Sequence, residues 1–174
     1  MTHPSLATLR AGVEHRVWRL GADIDTDLLA PGHVMQHGIE RIAGHCLEAV
    51  RPEFAQNVQP GDILVADAGF GIGSSREQAA AVLRHLGIVA VVAPSYGGLF
   101  FRNAFNLGLL LLTCDAVDTI HDGERLQVEL DDPPWLTPAD GVRRPCQPIP
   151  AFLLDMVAQG GLMSQLRQRL AGVA

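Results

Sequence analysis

The chain has 174 residues, of which 48% are hydrophobic, and a formal net charge of -6 from 13 basic and 19 acidic side chains. This length and apolar content predict a single domain, residues 1–174, with a substantial buried core. The acidic balance and the lack of a Lys/Arg cluster exclude an electrostatic surface for nucleic acid.

Targeting and redox signals are weak. The first 16 residues contain no apolar segment of the kind found in secretory leaders, and the apolar run LGLLLLT is too short to cross a bilayer, so no membrane association is expected. The cysteines Cys46, Cys114 and Cys146 form no CxxC pair, which indicates neither a disulfide framework nor a metal site within the chain. We expect a soluble protein of the reducing cytoplasm.

The predicted elements begin with a short apolar run at 17–20, followed by the segment GADIDTDLLAPGHVMQHG. Its Asp, Gly, His and Pro residues follow no helical or strand period, which predicts a recognition loop. A helix is possible within 39–54, ended at or before Pro52. After a Pro-Gly turn at 60–61, the segment DILVA predicts a buried strand.

The next segments have the order strand, glycine loop, helix, strand. The loop GFGIGSS follows DILVA, the segment SREQAAAVLRHLG has apolar residues at helical spacing, and IVAVVAP is a buried strand candidate. This is the order of a βαβ unit, which predicts parallel strands with a right-handed crossover.

The C-terminal part contains further candidates. SYGGLFFRNAFNLG predicts a turn and a short helix, and LLLLT predicts a third buried strand. The Asp-Gly pair at 122–123 predicts a hairpin, and DDPPWLTPAD is interpreted as a loop. PAFLLDMVAQGGLMSQLRQRLAG predicts two helices separated at 160–161.

Three glycines at alternate positions, Gly69, Gly71 and Gly73, precede Ser-Ser-Arg-Glu. Glycine gives up side-chain packing, so the loop is expected to need positive φ or the close approach of another group. The spacing differs from the dinucleotide fingerprint G-x-G-x-x-G, and no lysine follows the last glycine as in a Walker loop.

The residues themselves leave two explanations of this loop open. Ser74 and Glu77 have the spacing of a capping box, which would satisfy free N–H groups at a helix start. Alternatively, free N–H groups, the helix dipole and Arg76 in the first helical turn would bind a carboxylate. A serine among such donors could have its alkoxide stabilised and act as a base.

The stretch ILVADAGFGIGSSREQAAAVLRHLGIVAVVAPSYGGLFFRNAFNLGLL resembles the signature region of the small subunits of 3-isopropylmalate dehydratase. These subunits are similar in turn to the swivelling C-terminal domain of aconitase. GADIDTDLLAPG resembles the family's Asp-x-Asp-Thr-Asp segment, and QGGLMSQL resembles its C-terminal Gly-Gly-Leu. The motifs occur in the family's order over most of residues 16–166.

The resemblance implies an α/β fold of the three-layer β/β/α swivelling type. It also implies a heteromeric hydro-lyase whose large subunit carries a 4Fe-4S cluster, while this chain binds no cofactor or metal. The leading function is the isomerisation of 3-isopropylmalate and 2-isopropylmalate in leucine biosynthesis. The alternatives are a related dehydratase acting on another alkylmalate or on homoaconitate, and a carboxylate-binding module without catalysis.

The resemblance further implies roles for individual residues. Ser74 would abstract a proton as the catalytic base, and the backbone of Gly71 and Gly73 would shape the loop around it. The implied substrate contacts are Ser75 and Arg76, together with Asp25, Thr26 and Asp27 from the facing loop.

The chain departs from the family's pattern in two regions. Ile72, Gln78 and Gly69 stand where many relatives have Cys, His and Asn, which leaves the reaction type unaffected. After DIDTD most relatives continue with Pro, a small residue, Arg and an aromatic, whereas this chain reads PGHVMQHG without arginine. The identity of the hydroxy acid is therefore left open.

By the same resemblance, the loop at 31–38 faces the variable substituent of the substrate. His33 and His37 are candidate carboxylate contacts, and neither is expected to ligate a metal. Val34 and Met35 are expected to offer apolar surface, which favours an alkyl-substituted malate because an unpaired buried carboxylate would be strongly unfavourable.

Overall fold

The computed structural model describes Leu6, Leu9 and residues 12–172; most of the segment considered as a possible leader lies outside the described residues. A mixed sheet forms the centre of the structure. Its strands are β1 (Glu14–Arg19), β2 (Ile63–Val65), β3 (Ala90–Ala93), β4 (Leu110–Thr113), β5 (Arg125–Glu129), β6 (Trp135–Thr137) and β7 (Arg144–Pro145). Their order across the sheet is β4-β3-β2-β1-β5-β6-β7.

Strand β1 belongs to both halves of this sheet. On one side β1, β2, β3 and β4 are parallel neighbours, and on the other side β1 pairs antiparallel with β5, which continues to β6 and β7. Strands β2 and β3 are buried at every residue, whereas β5 alternates between buried and more exposed residues. These patterns are typical of covered parallel and one-sided antiparallel sheets. The predicted parallel βαβ unit is confirmed.

The helices of the described residues connect the strands and cover the sheet. They are α1 (Thr26–Leu29), α2 (Ile39–Ala43), α3 (Phe54–Asn57), α4 (Gln78–His85), α5 (Gly98–Asn106), α6 (Ala151–Ala158) and α7 (Leu162–Ala171), with a 3-10 helix at Gly32–Val34. The predicted division between the two C-terminal helices at 160–161 is confirmed. Within this part of the chain, no helix is both long and apolar enough to cross a bilayer.

The helix considered within 39–54 is α2, which ends before Pro52 and is followed by turns. Two other local predictions need correction. The Asp-Gly turn leads into β5, but the residues directly before the turn form no strand. Strand β5 pairs with β1 and β6 instead of with a hairpin partner. The segment DDPPWLTPAD contains β6, whose pairing with β5 outweighs the turn-forming Asp and Pro residues around it.

Candidate active site

The glycine loop follows β2 and leads to α4. Gly69, Gly71 and Gly73 have φ of +84°, +73° and +102°. The loop also contacts α5 closely, since a Cβ added at Gly71 would lie 2.2 Å from Cγ of Phe100. Both predicted reasons for the glycines, positive φ and close approach, are confirmed.

The segment after β1 runs beside this loop. Backbone hydrogen bonds join Gly71 N–H to Ile24 O at 2.6 Å and Thr26 N–H to Ile72 O at 2.9 Å, and Asp25 and Ile72 form a parallel bridge. The two segments therefore continue the parallel pairing of β1 with β2 beyond the strand ends. Ligand sites of open α/β sheets lie in this position, outside the carboxyl ends of the strands.

Two hydrogen bonds join Ser74 to Thr26. Its Oγ lies 3.0 Å from Oγ1 of Thr26, and its backbone N–H donates to the same Oγ1 at 3.1 Å. Because Thr26 Oγ1 accepts this N–H, its own proton is available to the oxygen of Ser74. Thr26 is 1% exposed, while Ser74 is at the surface. A donated hydrogen bond from a buried hydroxyl would stabilise a Ser74 alkoxide.

The capping-box explanation is wrong. Helix α4 begins at Gln78, and Glu77 at its N-cap position makes no side-chain cap hydrogen bond. Ser74 lies before the helix because its hydroxyl and its N–H are both engaged by Thr26. Arg76 likewise precedes α4 instead of lying in its first turn. The helix dipole therefore does not explain the position of this arginine.

Arg76 is held by one nitrogen of its guanidinium. Nη1 donates to Oδ1 of Asp27 at 2.5 Å and to the carbonyl of Ala30 at 2.6 Å, and lies 3.5 Å from the carbonyl of Thr26. Within the part of the chain that the structure describes, its Nε and Nη2 donate to no protein group. These N–H groups form a planar edge that suits a carboxylate.

Asp25 fixes the start of α1. Its Oδ1 accepts the backbone N–H of Leu28 at 2.8 Å, as an N-cap aspartate does. This bond places Thr26 at the first helical position, with its side chain toward Ser74. Asp25 thus contributes to the site by orienting Thr26.

Asn103 of α5 lies at the site, although its sequence position suggested only a surface or subunit-interface residue. Its Nδ2 donates to the backbone carbonyl of Ser75 at 3.1 Å. The bond joins α5 to the loop directly beside Ser74, while the Ser75 side chain is exposed. The only sequence signal is a polar residue within the phenylalanine-rich FFRNAF segment, which does not indicate a partner.

The loop at 31–38 divides into buried and exposed residues. Val34 is 3% exposed and belongs to the core, so the prediction that it offers surface to a ligand is wrong. Met35 is half-buried against the core, and His37 is exposed. Nε2 of His33 lies 3.3 Å from Oε1 of Glu48, on the turn after α2.

The chain is similar to known proteins. The model of the aconitase C-terminal domain matches residues 41–117. The 3-isopropylmalate dehydratase small subunit 1 of Archaeoglobus fulgidus is 42% identical over 158 residues, covering 88% of this chain and 98% of that protein. The methanogen homoaconitase small subunit of Methanothermobacter thermautotrophicus is 38% identical over 153 residues, covering 87% and 89%.

A solved structure agrees with the fold. The crystal structure of 3-isopropylmalate dehydratase from Methanocaldococcus jannaschii superposes with a TM-score of 0.84 at 32% identity, covering 91% of this chain and 95% of that one. The predicted three-layer β/β/α fold is thereby confirmed. The chain belongs to the family of 3-isopropylmalate dehydratase small subunits, within the aconitase superfamily.

Proposed function

We propose that this chain is the small subunit of a heteromeric hydro-lyase that isomerises 3-isopropylmalate and 2-isopropylmalate by dehydration and rehydration. The observation that carries the proposal is the arrangement around Thr26. Its hydroxyl contacts Ser74 and its carbonyl lies beside Arg76, so a base and a carboxylate-binding group are held by one buried residue.

The proposed roles follow from these contacts. Ser74 removes a proton from the carbon next to a substrate carboxylate, and Thr26 stabilises the alkoxide form of Ser74 by hydrogen bonding. Arg76 binds a substrate carboxylate through Nε and Nη2, while Asp27 and Ala30 hold Nη1. The exposed hydroxyl of Ser75 is the neighbouring donor, on a backbone positioned by Asn103.

The site requires a second protein surface. Ser74 and Ser75 are exposed, so this chain does not by itself exclude water from the base. We propose that a large subunit closes the site. A 4Fe-4S cluster on that subunit would act as a Lewis acid toward the substrate hydroxyl and a carboxylate.

The cysteines of this chain do not fit such a cluster. Burial raises the pKa of the Cys46 thiol, which opposes the thiolate that a cluster needs, whereas a hydrogen bond with Cys146 lowers the pKa of the Cys114 thiol to about 7. Among the described residues, no group of three convergent metal-ligand atoms includes a cysteine. We therefore assign the cluster to the partner. The free, buried thiols suit a reducing compartment, and we place this chain in the cytoplasm as a single domain.

The proposed function is tested by reconstitution. The chain and its large subunit are purified separately without oxygen, and the isomerisation of 3-isopropylmalate is followed with each alone and with both. We expect turnover only in the mixture. A mixture that binds 3-isopropylmalate and related hydroxy acids but converts none of them would identify this chain as a carboxylate-binding module.

Thr26→Val is expected to lower kcat of the reconstituted enzyme by about 10- to 150-fold. This range corresponds to losing a hydrogen bond to a charged oxygen, about 1.5–3 kcal/mol. The measurement is kcat for 3-isopropylmalate, with Thr137→Val on β6 as the control for an equivalent hydroxyl-to-methyl change. Equal kcat in the two variants would remove Thr26 from the proposed mechanism.

The residues of the loop at 31–38 are the basis for assigning the substrate. Because the chain is also similar to a methanogen homoaconitase small subunit, a tricarboxylate is the second candidate substrate. A third carboxylate in this region would need a cation, yet the loop contains no Lys or Arg, and Glu48 already lies beside His33. We therefore propose an alkylmalate as the substrate.

Met35→Arg is expected to shift the ratio of kcat/KM values toward homocitrate, because the half-buried Met35 would be replaced by a cation. The measurement compares 3-isopropylmalate with homocitrate in wild type and variant. Val142→Arg, on the exposed turn before β7, controls for the added charge. A wild-type enzyme that prefers homocitrate would overturn the substrate assignment while leaving the hydro-lyase proposal intact.

A further inference from the structure

Two histidines and a glutamate lie together where the loop at 31–38 meets the turn after α2. His33 belongs to the 3-10 helix, and His45 and Glu48 lie on the turn after α2. Nδ1 of His45 is 2.6 Å from Oε2 of Glu48, and Nε2 of His33 is 3.3 Å from Oε1. Their ligand atoms all lie within 4.8 Å of one another.

Zn²⁺ binds imidazole nitrogen and carboxylate oxygen at about 2.0–2.2 Å, so two ligands on one tetrahedral ion are about 3.4 Å apart. The separation of 3.3 Å between His33 and Glu48 matches this value, whereas the hydrogen bond of 2.6 Å between His45 and Glu48 must open to admit the ion. The imidazole rings of His33 and His45 meet edge to face, with centroids 5.3 Å apart and planes at 87°. They are therefore not stacked face to face, and a nitrogen of each ring lies within 4.8 Å of the other ligand atoms.

The backbone fixes two of the three residues relative to each other. Leu47, between His45 and Glu48, is fully buried with a φ of +60°, and its N–H donates to the carbonyl of Leu28 at 2.8 Å. A branched aliphatic residue keeps such a backbone conformation only where its surroundings impose it. The turn is thus held with both ligand side chains on the same side.

The cluster is open enough to admit an ion. The side chains of His33, His45 and Glu48 are 61%, 31% and 39% exposed. Two neutral imidazoles and one carboxylate give a donor set with one negative charge. Three protein ligands with an open fourth position for water are a known arrangement for zinc.

We propose that His33, His45 and Glu48 bind one divalent ion of the zinc type, with water as the fourth ligand. This departs from the expectation that His33 does not ligate a metal. A bound ion would join the loop at 31–38 to the turn after α2. The proposal is independent of the hydro-lyase assignment, because the binding is measured on the isolated chain.

The test is a calorimetric titration of the chelator-treated, desalted chain with zinc chloride near neutral pH. We expect one ion per chain. His45→Gln and Glu48→Gln should each weaken binding by at least about 100-fold, since even residues that only support metal ligands contribute 10- to 100-fold. His37→Gln, an exposed histidine of the same loop, is the matched control and should bind as the wild type does.

Two results would overturn the proposal: no zinc binding by the wild type, or binding that survives the loss of His45 and of Glu48. Circular dichroism of each variant checks that it is folded. If a change in the turn disturbs folding, His33→Asn on the exposed 3-10 helix provides the same test, and wild-type affinity in that variant would exclude His33.

Discussion

Replacing Ser74 with alanine is expected to lower kcat of the reconstituted enzyme by about 10²- to 10⁴-fold, the usual contribution of a general base. KM should change much less, because the proton transfer stabilises the transition state and not the bound substrate. Steady-state kinetics with 3-isopropylmalate measure both constants. The stability should change little, since the lost hydroxyl contact with Thr26 contributes about 1 kcal/mol.

Ser95→Ala is the matched control for this variant. The hydroxyl of Ser95 accepts the backbone N–H of Gly69 at 2.9 Å, so it supports the same loop without contacting Ser74. We expect its kcat to stay within a few-fold of the wild type. If Ser95→Ala and Ser74→Ala reduce kcat equally, then the Ser74 hydroxyl only maintains the loop conformation and another group is the base.

Gly71→Ala is expected to produce the largest loss of stability among single-methyl additions to this loop. A left-handed conformation is unfavourable for alanine by about 1–2 kcal/mol. The added Cβ would also overlap Phe100, which is 1% exposed, and overpacking of this kind typically destabilises by about 1–3 kcal/mol. The free energy of unfolding from denaturant titration should therefore fall by about 2–5 kcal/mol.

Gly141→Ala separates the two contributions. Gly141 has a φ of +74°, almost the same as Gly71, but a Cβ there would have no atom within 4 Å. The loss of stability in Gly141→Ala should therefore reflect the backbone conformation alone. The additional loss of stability in Gly71→Ala then measures the contact with Phe100. Equal losses in the two variants would mean that Phe100 moves aside freely and that the loop is not pressed against α5.

Much of the parallel half of the fold could be predicted from the sequence. Strands β2 and β3 are buried at every residue, so each appears as an uninterrupted apolar run between turn residues. Strand β6 could not be found in this way. It has three residues between Pro134 and Pro138, and it exists because Leu136 pairs with Val128 of β5. Its structure depends on the partner strand rather than on its own composition.

The site residues could be named through their family motifs, but their contacts could not. Ser74 meets Thr26 across 48 positions, and Asn103 meets Ser75 across 28, and no local pattern encodes such pairs. The start of α4 was misplaced for the same reason, because the Thr26 hydroxyl holds Ser74 outside the helix. Val34 and Met35 are both apolar, and only the packed core distinguishes the buried one from the half-buried one.

Strand β1, which is shared by both halves of the sheet, gains its two neighbours at different times during synthesis. Glu14–Arg19 leaves the ribosome well before its antiparallel partner Arg125–Glu129, which follows more than a hundred positions later. At 5–20 residues per second, that interval lasts roughly 5–20 s. During this time one edge of β1 has no strand beside it, and such edges are prone to aggregation. Nascent chains stalled before residue 125 should therefore depend on chaperones more than completed chains do.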